Sequence, residues 1–366
     1  MIVLCIGVIL IIYSIISYKT GKYNLNFAFT FVFLIMGFQS GVEGDFYRYK
    51  IDFETLGLSD SLIRKGEYFW LYLTYYFRQF SSFHVFICLM SLFECYCVKK
   101  FVERFSDENF IFISAVLFFF TMNFMCMQMK ALRQGLAVDM CLLSFVMIDN
   151  KDKKSLILAV LLSLASYFTH KSSLICIVFV LLYWLYIQNQ KLRNSPITLN
   201  PLHFALAMLA LYVGKKAFLD SYIIPALAFL DDDHYMNYAI DFTEYAAQMN
   251  FLPIMYNTII VSLLAWYIKY AASNERYFVM IAIVGVFVDT LVFATGSIQR
   301  LLLYFIFANL VVFPGVAMQI KRQYGKLALW AFIVLIFGYA YKTSSSFLIS
   351  SEADRFGTAY KFVFMN

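Results

Sequence analysis

The sequence predicts an all-α, polytopic membrane protein with about 12 transmembrane helices, within a range of about 11–14. Hydrophobic residues make up 62% of the 366 residues and charged residues only 14%, whereas about a quarter of a soluble chain is charged. The mean hydropathy is +0.72, and the 41 Phe and 27 Tyr side chains are more apolar bulk than a soluble surface can hide. Apolar runs of about the length that a spanning helix needs, roughly 20 residues, recur along the chain.

These apolar runs account for most of the chain, so we expect a single integral membrane domain over residues 1–366. Each run is predicted to be helical, because an open strand cannot satisfy its backbone hydrogen bonds in lipid. The short run 155–168 indicates tilt, local thinning or a half-helix break. The predicted spans are 2–18, 25–40, 83–98, 109–127, 131–148, 155–168, 172–187, 201–219, 252–270, 277–294, 298–318 and 326–342.

Basic residues in the short connections orient these spans. With the N-terminus outside, every connection on the cytoplasmic side carries at least two Lys or Arg residues, in keeping with the positive-inside rule. The long connections then lie outside, namely the loop 41–82, the loop 220–251 and the C-terminal tail 343–366. Because the unusual polar residues gather in and near these segments, we expect a working site to face outward.

Residues 66–80 within the first outer loop are apolar but carry Glu67, Arg78 and many Tyr residues. If this stretch crossed the membrane, the basic cluster at 99–104 would lie outside. We therefore predict an interfacial amphipathic helix here.

Composition and motifs exclude several classes of function. The net charge of +6 is explained by orientation signals, so nucleic acid is not an expected partner. The seven Cys residues lie in apolar stretches without zinc or disulfide spacing. There is no phosphate-binding glycine loop, no GxSxG elbow and no HExxH motif. We expect neither a metal nor a cofactor.

Four polar segments near the predicted outer boundary are candidates for chemistry. In the first, QSGVEGDFYRY at 39–49, Asp45, Arg48 and Tyr49 follow a glycine-rich turn. Asp45 and Tyr49 are four residues apart and share a face if the segment is helical. The alternatives are a solvated loop and a loop that lines a substrate site.

The second segment, MKALRQGLA at 129–137, opens the fifth span. Lys130, Arg133 and Gln134 are predicted to share one helical stripe, and Gly135 allows another group to approach closely. A single basic residue at a helix end can snorkel to the interface. A stripe of three polar residues is more typical of a bundle interior, where ionisable groups are functional candidates.

The third segment, YFTHKSS at 167–173, is the predicted tight outer turn between the sixth and seventh spans. Ser172 or Ser173 is expected to cap the following helix. That capping could be the whole role of the turn, or His170 and Lys171 could also face an outer cavity and contact a ligand.

The fourth segment, GSIQRLLLY at 296–304, places Arg300 just inside the outer boundary with Tyr304 one turn on. Arg300 either pairs with Asp289 of the preceding span or serves as a second anion clamp. The guanidinium group offers a fixed fork of donors suited to phosphate. Recessed cations at an outer cavity imply an anionic ligand, and a lipid-linked diphosphate fits: the candidates are Arg48, Lys130, Arg133, Lys171 and Arg300.

Taken in order, these segments resemble the EpsG family of bacterial polysaccharide polymerases, which is Wzy-like. The resemblance rests on SGVEGDFYRY after the second span, GEYFWLYLTYYF before the third, RQGLA opening the fifth, FTHKSSLI between the sixth and seventh, and QRLLLYF in the eleventh. Gln39 stands where the family pattern often has Arg, and Phe46 stands where Tyr is common. One phosphate or sugar contact expected from the family is therefore either missing or supplied by Arg48.

The resemblance implies a Wzy-like and GT-C-like bundle with an extracytoplasmic cavity, in the bacterial cytoplasmic membrane. The implied reaction joins repeat units carried on undecaprenyl diphosphate at the outer face, without metal. The expected partners are these lipid-linked oligosaccharides and membrane lipids, with a flippase and a chain-length regulator as further candidates. The implied base is His170, Asp45 or Glu67, the implied diphosphate ligands are Arg133, Arg300, Lys130, Arg48 and Lys171, and the implied sugar contacts are Tyr49, Gln134 and Tyr304.

Three other functions remain open from the sequence. A flippase or transporter of the same substrate also needs an outward cationic cavity, but its polar residues should occupy both membrane halves. An acyltransferase should carry a His beside Asn or Asp deep in a span. A ligase performs the same chemistry on another acceptor, and the sequence does not separate it from a polymerase.

Overall fold

The structure, a computed structural model, is all-α apart from one short strand pair in the part of the chain that it describes. The described residues are 2–21, 23–41, 44–55, 63, 66–121, 124–125, 127–218, 251–292, 302–349 and 361–362. The chain divides into two compact units, Met1–Arg193 with Phe313–Asn366, and Asn194–Val312. The all-α prediction is confirmed.

The first unit contains the helices that carry most of the candidate residues. They are α1 (Ile2–Thr20), α2 (Leu25–Gly37), α3 (Gly44–Thr55), α4 (Tyr68–Arg78), α5 (Phe83–Phe105), α6 (Phe112–Phe120), α7 (Met127–Lys130), α8 (Leu132–Asp149), α9 (Lys153–Thr169), α10 (Leu174–Gln188) and α11 (Gln190–Asn194).

The second unit contains α12 (Pro201–Phe218), α13 (Phe251–Tyr267) and α14 (Ser273–Val292). The last helix, α15 (Leu303–Ile349), begins in this unit and continues into the residues of the first. It is kinked at Gly325, whose φ of 82° lies in the left-handed region. The kink separates the predicted spans 298–318 and 326–342. The predicted outer loop 220–251 lies outside the described residues apart from its last position.

All twelve predicted spans contain helix, although their ends differ from the prediction in places. The predicted span 109–127 holds α6, which already ends at Phe120. The predicted interfacial stretch 66–80 holds α4, and a further helix, α3, forms in the same outer loop. The depth of these elements in a membrane stays a prediction.

Apolar helices indicate a membrane protein. Within the described residues, Lys171–Gln188 and Leu303–Gly338 are long and apolar enough to cross a bilayer, and Cys5–Thr20, Leu25–Gly37, Pro201–Gly214 and Leu252–Tyr267 are shorter apolar helices. Large aliphatic side chains on α9 and α10 are exposed, among them Ile157 at 62% and Leu181 at 53%. The count of twelve spans stays a prediction.

The described strands pair a segment after the second helix with the C-terminal tail. Strand β1 (Gln39–Gly41) runs antiparallel to β2 (Lys361–Phe362), with Gln39 opposite Phe362. The pairing joins the glycine-rich segment of the first predicted outer loop to the predicted outer tail.

An aromatic core supports the candidate residues. Phe46 of α3, Trp70 of α4, Phe86 of α5 and Leu132 of α8 belong to one buried cluster. The rings of Trp70 and Phe86 meet edge to face at 5.7 Å between centroids. Because α3, α4 and α8 also carry or adjoin candidate polar residues, the core fixes the relative positions of those residues.

Candidate functional site

Glu67 lies at the centre of a polar cluster in the first unit. It stands directly before α4, and the residue is only 3% exposed. The preceding Gly66 has a φ of 69°, a left-handed conformation that favours glycine, and its N–H donates to the carbonyl of Ile63 at 2.9 Å. This turn directs the buried carboxylate of Glu67 toward two neighbours, Arg133 and His170.

Arg133 is the first of these neighbours. Its Nη1 donates to Glu67 Oε2, although the two residues are 66 positions apart in the chain. Its Nε donates to the hydroxyl of Tyr49 at 3.4 Å, and its guanidinium carbon lies 5.4 Å from the centre of the Tyr49 ring. Tyr49 is held by an edge contact to Trp70, with ring centroids 5.6 Å apart. Arg133 is thus fixed by a carboxylate and by the face of an aromatic ring.

His170 is the second neighbour of Glu67. Its Nδ1 lies 3.0 Å from Glu67 Oε1. The residue ends α9, where its backbone leaves the helical region with φ −156° and ψ 115°. A 3₁₀ turn (Lys171–Ser173) follows at once. We refer to Glu67, Arg133, His170 and Tyr49 as the Glu67 cluster.

Two basic side chains, Arg133 and Lys171, lie beside the buried carboxylate of Glu67, and the carboxylate of Asp52 also interacts electrostatically with Arg133. One buried carboxylate is in contact with Arg133 and His170, and Lys171 adjoins it through Gly66. A Cβ added to Gly66 would lie 3.0 Å from Lys171 Nζ. The side chains of Arg133 and His170 are 20% and 29% exposed to solvent. Basic side chains that are partly exposed beside a buried acid are suited to binding an anion.

The other predicted diphosphate ligands lie in different surroundings. Lys130 ends the short helix α7 and is buried, and Arg48 is exposed on α3. Ala131, with φ −104° and ψ 60°, breaks the chain between α7 and α8. The predicted continuous stripe of Lys130, Arg133 and Gln134 on one helix is therefore wrong. Arg300 lies outside the described residues.

The remaining predicted residues also lie in different surroundings. Gln134 is buried, and Tyr304 is fully buried in the second unit. Asp45 lies in α3 as a helical residue four positions before Tyr49, so the condition for a shared face is met, but its side chain lies outside the described part. Asp289, the alternative partner of Arg300, accepts from Asn257 Nδ2 at 2.8 Å.

Gly135 permits close packing, as predicted. A Cβ at this position would lie 3.0 Å from the Cα of Gln128. Gln128 in turn donates through Nε2 to both carboxylate oxygens of Asp139, at 2.9 and 3.0 Å. Nothing in the sequence pattern identified Gln128 as this partner, because it lies beyond the helix break at Ala131.

The 3₁₀ turn before α10 and the aromatic core show the surroundings of two further residues, Ser173 and Phe46. Ser173 is already helical, with φ −63°, and makes no capping hydrogen bond to α10, because the 3₁₀ turn occupies the position that an extended cap residue needs. Phe46, which replaces the Tyr of the family pattern, is fully buried and meets Phe83 at 5.3 Å between centroids. The phenylalanine acts there as a core residue.

Sequence reasoning missed two supporting residues. Gly66 sets the conformation before Glu67, and Trp70 supports Tyr49. A glycine directly before the amphipathic helix was the available signal for the first. The spacing of three residues from Glu67 to Trp70, which places both on one side of α4, was the signal for the second. Within the described residues, no three His, Cys, Asp or Glu side chains are grouped as metal ligands.

Comparison with known proteins agrees with the order of motifs around this cluster. The sequence pattern of the EpsG family matches residues 22–352, which include every member of the Glu67 cluster. No curated protein matches the chain, and no solved structure matches it. From the extent of the family match, the chain belongs to the EpsG family.

Proposed function

We propose that this membrane protein is a polysaccharide polymerase that joins oligosaccharide repeat units carried on undecaprenyl diphosphate, at the outer face of the bacterial cytoplasmic membrane. The observation that carries the proposal is the contact of Glu67 with both Arg133 and His170. Membership of a Wzy-like family supports the class of reaction. The proposed reaction needs an anion-binding group beside a proton acceptor, and this contact supplies both.

The proposed step is a substitution at the anomeric carbon of the growing chain. A hydroxyl oxygen of the acceptor unit forms the new glycosidic bond to that carbon. The bond from the carbon to the diphosphate oxygen breaks, and the lipid diphosphate leaves with the electron pair. The hydroxyl proton passes to a base. Because diphosphate is a good leaving group, stabilising its developing charge matters more than protonating it.

Arg133 is proposed to stabilise this diphosphate. A guanidinium group has five N–H donors, and the contacts to Glu67 and Tyr49 engage Nη1 and Nε. The other donors of Arg133 can bind phosphate oxygens while Glu67 holds the side chain in place. Lys130, Lys171 and Arg48 are proposed to add positive charge around the same group.

His170 is proposed as the base, with Glu67 as its positioning residue. If Nδ1 donates its proton to Glu67 Oε1, the lone pair of Nε2 is left to accept the proton of the acceptor hydroxyl. A carboxylate that fixes the tautomer and orientation of a basic histidine is a recurrent catalytic arrangement. Asp45 remains the other candidate base, and Tyr49, Gln134 and Tyr304 the candidate sugar contacts.

A reconstituted assay tests the proposal. We expect purified protein in vesicles to convert lipid-linked repeat units into a ladder of longer sugars, without nucleotide sugar or added metal. Gel analysis of the products measures the ladder. Movement of single units across the vesicle membrane without elongation would instead identify a transporter. Transfer to a different acceptor without elongation would identify a ligase.

Arg133→Lys tests the proposed phosphate ligand. The variant keeps the positive charge but loses the fork of donors, so we expect elongation to fall by about 10²-fold, the loss typical of one transition-state donor. The matched control is Arg104→Lys, because Arg104 also pairs with a carboxylate, that of Asp149. Equal rates per folded molecule in the two variants would contradict a role for Arg133 in binding diphosphate.

A further inference from the structure

An apolar groove opens beside the Glu67 cluster. Its walls come from α4, α5, α8 and α9, and its volume is about 470 Å³. This volume lies within the range of about 300–1,000 Å³ that is typical of ligand sites. Its lining is apolar throughout and includes Phe69, Phe86, Leu89, Leu136, Leu161 and Ala165. We call it the α4–α9 groove.

The elements that hold the Glu67 cluster also build this groove. Phe69 follows Glu67 by two residues on α4. Leu136 follows Arg133 by three residues and therefore lies on the same side of α8. Ala165 lies one turn before the end of α9, where its carbonyl accepts from the hydroxyl of Thr169, the residue before His170. The groove is thus lined by residues that lie within five positions of three members of the cluster.

We propose that the α4–α9 groove binds the prenyl chain of the diphosphate-linked substrate, in the isoprene units next to the diphosphate. The inference rests on the proposed function, since it assigns the lipid part of the same substrate. A ligand that satisfies both surfaces has an anionic head for Arg133 and Lys171 and a long apolar chain for the groove. Binding of that chain holds the anomeric carbon beside Arg133 and His170.

A second apolar groove provides a comparison that distinguishes binding of the prenyl chain from binding of bulk lipid. It lies along α9 and α10, has a volume of about 560 Å³, and includes Ile148, Val160, Leu164, Leu181 and Trp184 in its lining. It meets α8 only near the end opposite Arg133. The second groove also approaches His170, through Tyr167 and Leu174. Only the α4–α9 groove is also lined by residues that closely follow Glu67 and Arg133, so a chain attached to a diphosphate at the Glu67 cluster is expected there, whereas acyl chains of the bilayer can enter both grooves.

Photolabelling tests the assignment without requiring turnover. The full chain is placed in phosphatidylglycerol vesicles with a long-chain polyprenyl diphosphate that carries a diazirine close to the diphosphate. We expect adducts on the walls of the α4–α9 groove, lost on addition of unlabelled polyprenyl diphosphate and unaffected by additional phosphatidylglycerol. Mass spectrometry of the peptides locates them. Adducts in the α9–α10 groove, or competition by phosphatidylglycerol, would overturn the assignment.

Two tryptophan variants on α9 provide a matched pair. Leu161 lines the α4–α9 groove and is 57% exposed, whereas Leu164 lines the other groove and is 50% exposed. The measured quantity is the labelling that unlabelled polyprenyl diphosphate can displace. We expect Leu161→Trp to reduce it by about tenfold and Leu164→Trp to leave it within about twofold of the wild type. The thermal unfolding midpoint of each variant verifies folding. Equal labelling of the two variants would contradict the proposal.

The two proposals can fail separately. If the α4–α9 groove is labelled but the protein makes no polymer, the assignment of the groove stands and the polymerase proposal is overturned. If Leu161→Trp still forms polymer at an unchanged rate and with unchanged labelling, the polymerase proposal stands and the assignment of the groove is overturned.

Discussion

Each end of α8 carries an ion-pair cluster. Both clusters contain a buried carboxylate and an arginine, but the third residue differs. At the start of the helix, Arg133 donates to Glu67, and His170 completes the group. At its end, Asp149 accepts from Nε of Arg104 at 2.7 Å and from the hydroxyl of Tyr183 at 2.7 Å. Each cluster joins a buried carboxylate to an arginine and one further side chain from distant positions of the chain.

The third partner and the surrounding charge distinguish the clusters. Tyr183 is a neutral donor, so the Asp149 cluster (Arg104, Asp149 and Tyr183) balances one positive with one negative charge and ties α5, α8 and α10 together. His170 can accept and release a proton, and Lys171 adds a further positive charge beside Glu67. The comparison teaches that an arginine–carboxylate pair alone does not indicate function. A second basic side chain and a titratable neighbour are the informative features.

Replacing the two carboxylates by their amides tests this distinction most strongly. We expect Glu67→Gln to lower the rate of elongation by about 10²–10⁴-fold, the usual contribution of general acid–base catalysis, because the amide no longer fixes the imidazole or balances Arg133. The fall should appear in kcat and leave KM nearly unchanged. Steady-state kinetics of the reconstituted protein measure both.

Asp149→Asn is the control for Glu67→Gln. It removes the same charge from a site that is 5% exposed, so we expect a lower unfolding midpoint and an unchanged rate per folded molecule. Comparable losses of kcat in both variants would show that the clusters do not differ in function.

The left-handed glycine before Glu67 allows a smaller perturbation. We expect Gly66→Ala to reduce elongation by about 10–100-fold, because a Cβ displaces Lys171 Nζ and shifts the turn that directs Glu67. A left-handed alanine also costs about 1–2 kcal/mol of stability. Elongation rates and unfolding midpoints separate the two effects.

Gly21→Ala provides the matched control for that turn. Gly21 has a φ of 67°, close to the 69° of Gly66, but an added Cβ meets nothing within 4 Å. Its variant should lose similar stability and retain full activity per folded molecule. An equal loss of activity in both would attribute the effect of Gly66→Ala to backbone strain alone.

Much of the first cluster could be predicted from the sequence, because its members are charged residues in segments that are otherwise apolar. Glu67, Arg133 and His170 each stood out for that reason, and the apolar runs predicted the helices that carry them. The contacts among them could not be predicted, since they join positions 66 and 103 residues apart. Long-range contacts depend on packing of the aromatic core, which local periodicity does not encode.

The failures of prediction have local causes. The stripe from Lys130 to Gln134 assumed an unbroken helix, but Ala131 leaves the helical region although alanine has the highest helix propensity. Tertiary packing therefore overrides propensity at this point. Similarly, Ser172 or Ser173 was expected to cap α10 on residue type alone, but both lie in a 3₁₀ turn and Ser173 makes no capping hydrogen bond. The Asp149 cluster was not predicted, because Arg104 resembled an ordinary orientation signal at a cytoplasmic turn.

The two tyrosines give the smallest and most specific comparison. Tyr183 is fully buried and donates to Asp149 at 2.7 Å, so Tyr183→Phe should lower the unfolding free energy by about 1–3 kcal/mol and leave activity per folded molecule unchanged. In Tyr49 the hydroxyl accepts a longer bond, 3.4 Å from Arg133 Nε, while the ring keeps its contact with the guanidinium. Tyr49→Phe should therefore change stability little and lower the elongation rate by only about 2–5-fold, through a looser Arg133. If instead Tyr49→Phe lost stability and Tyr183→Phe lost activity, the assignment of binding to one end of α8 and of structural support to the other would have to be reversed.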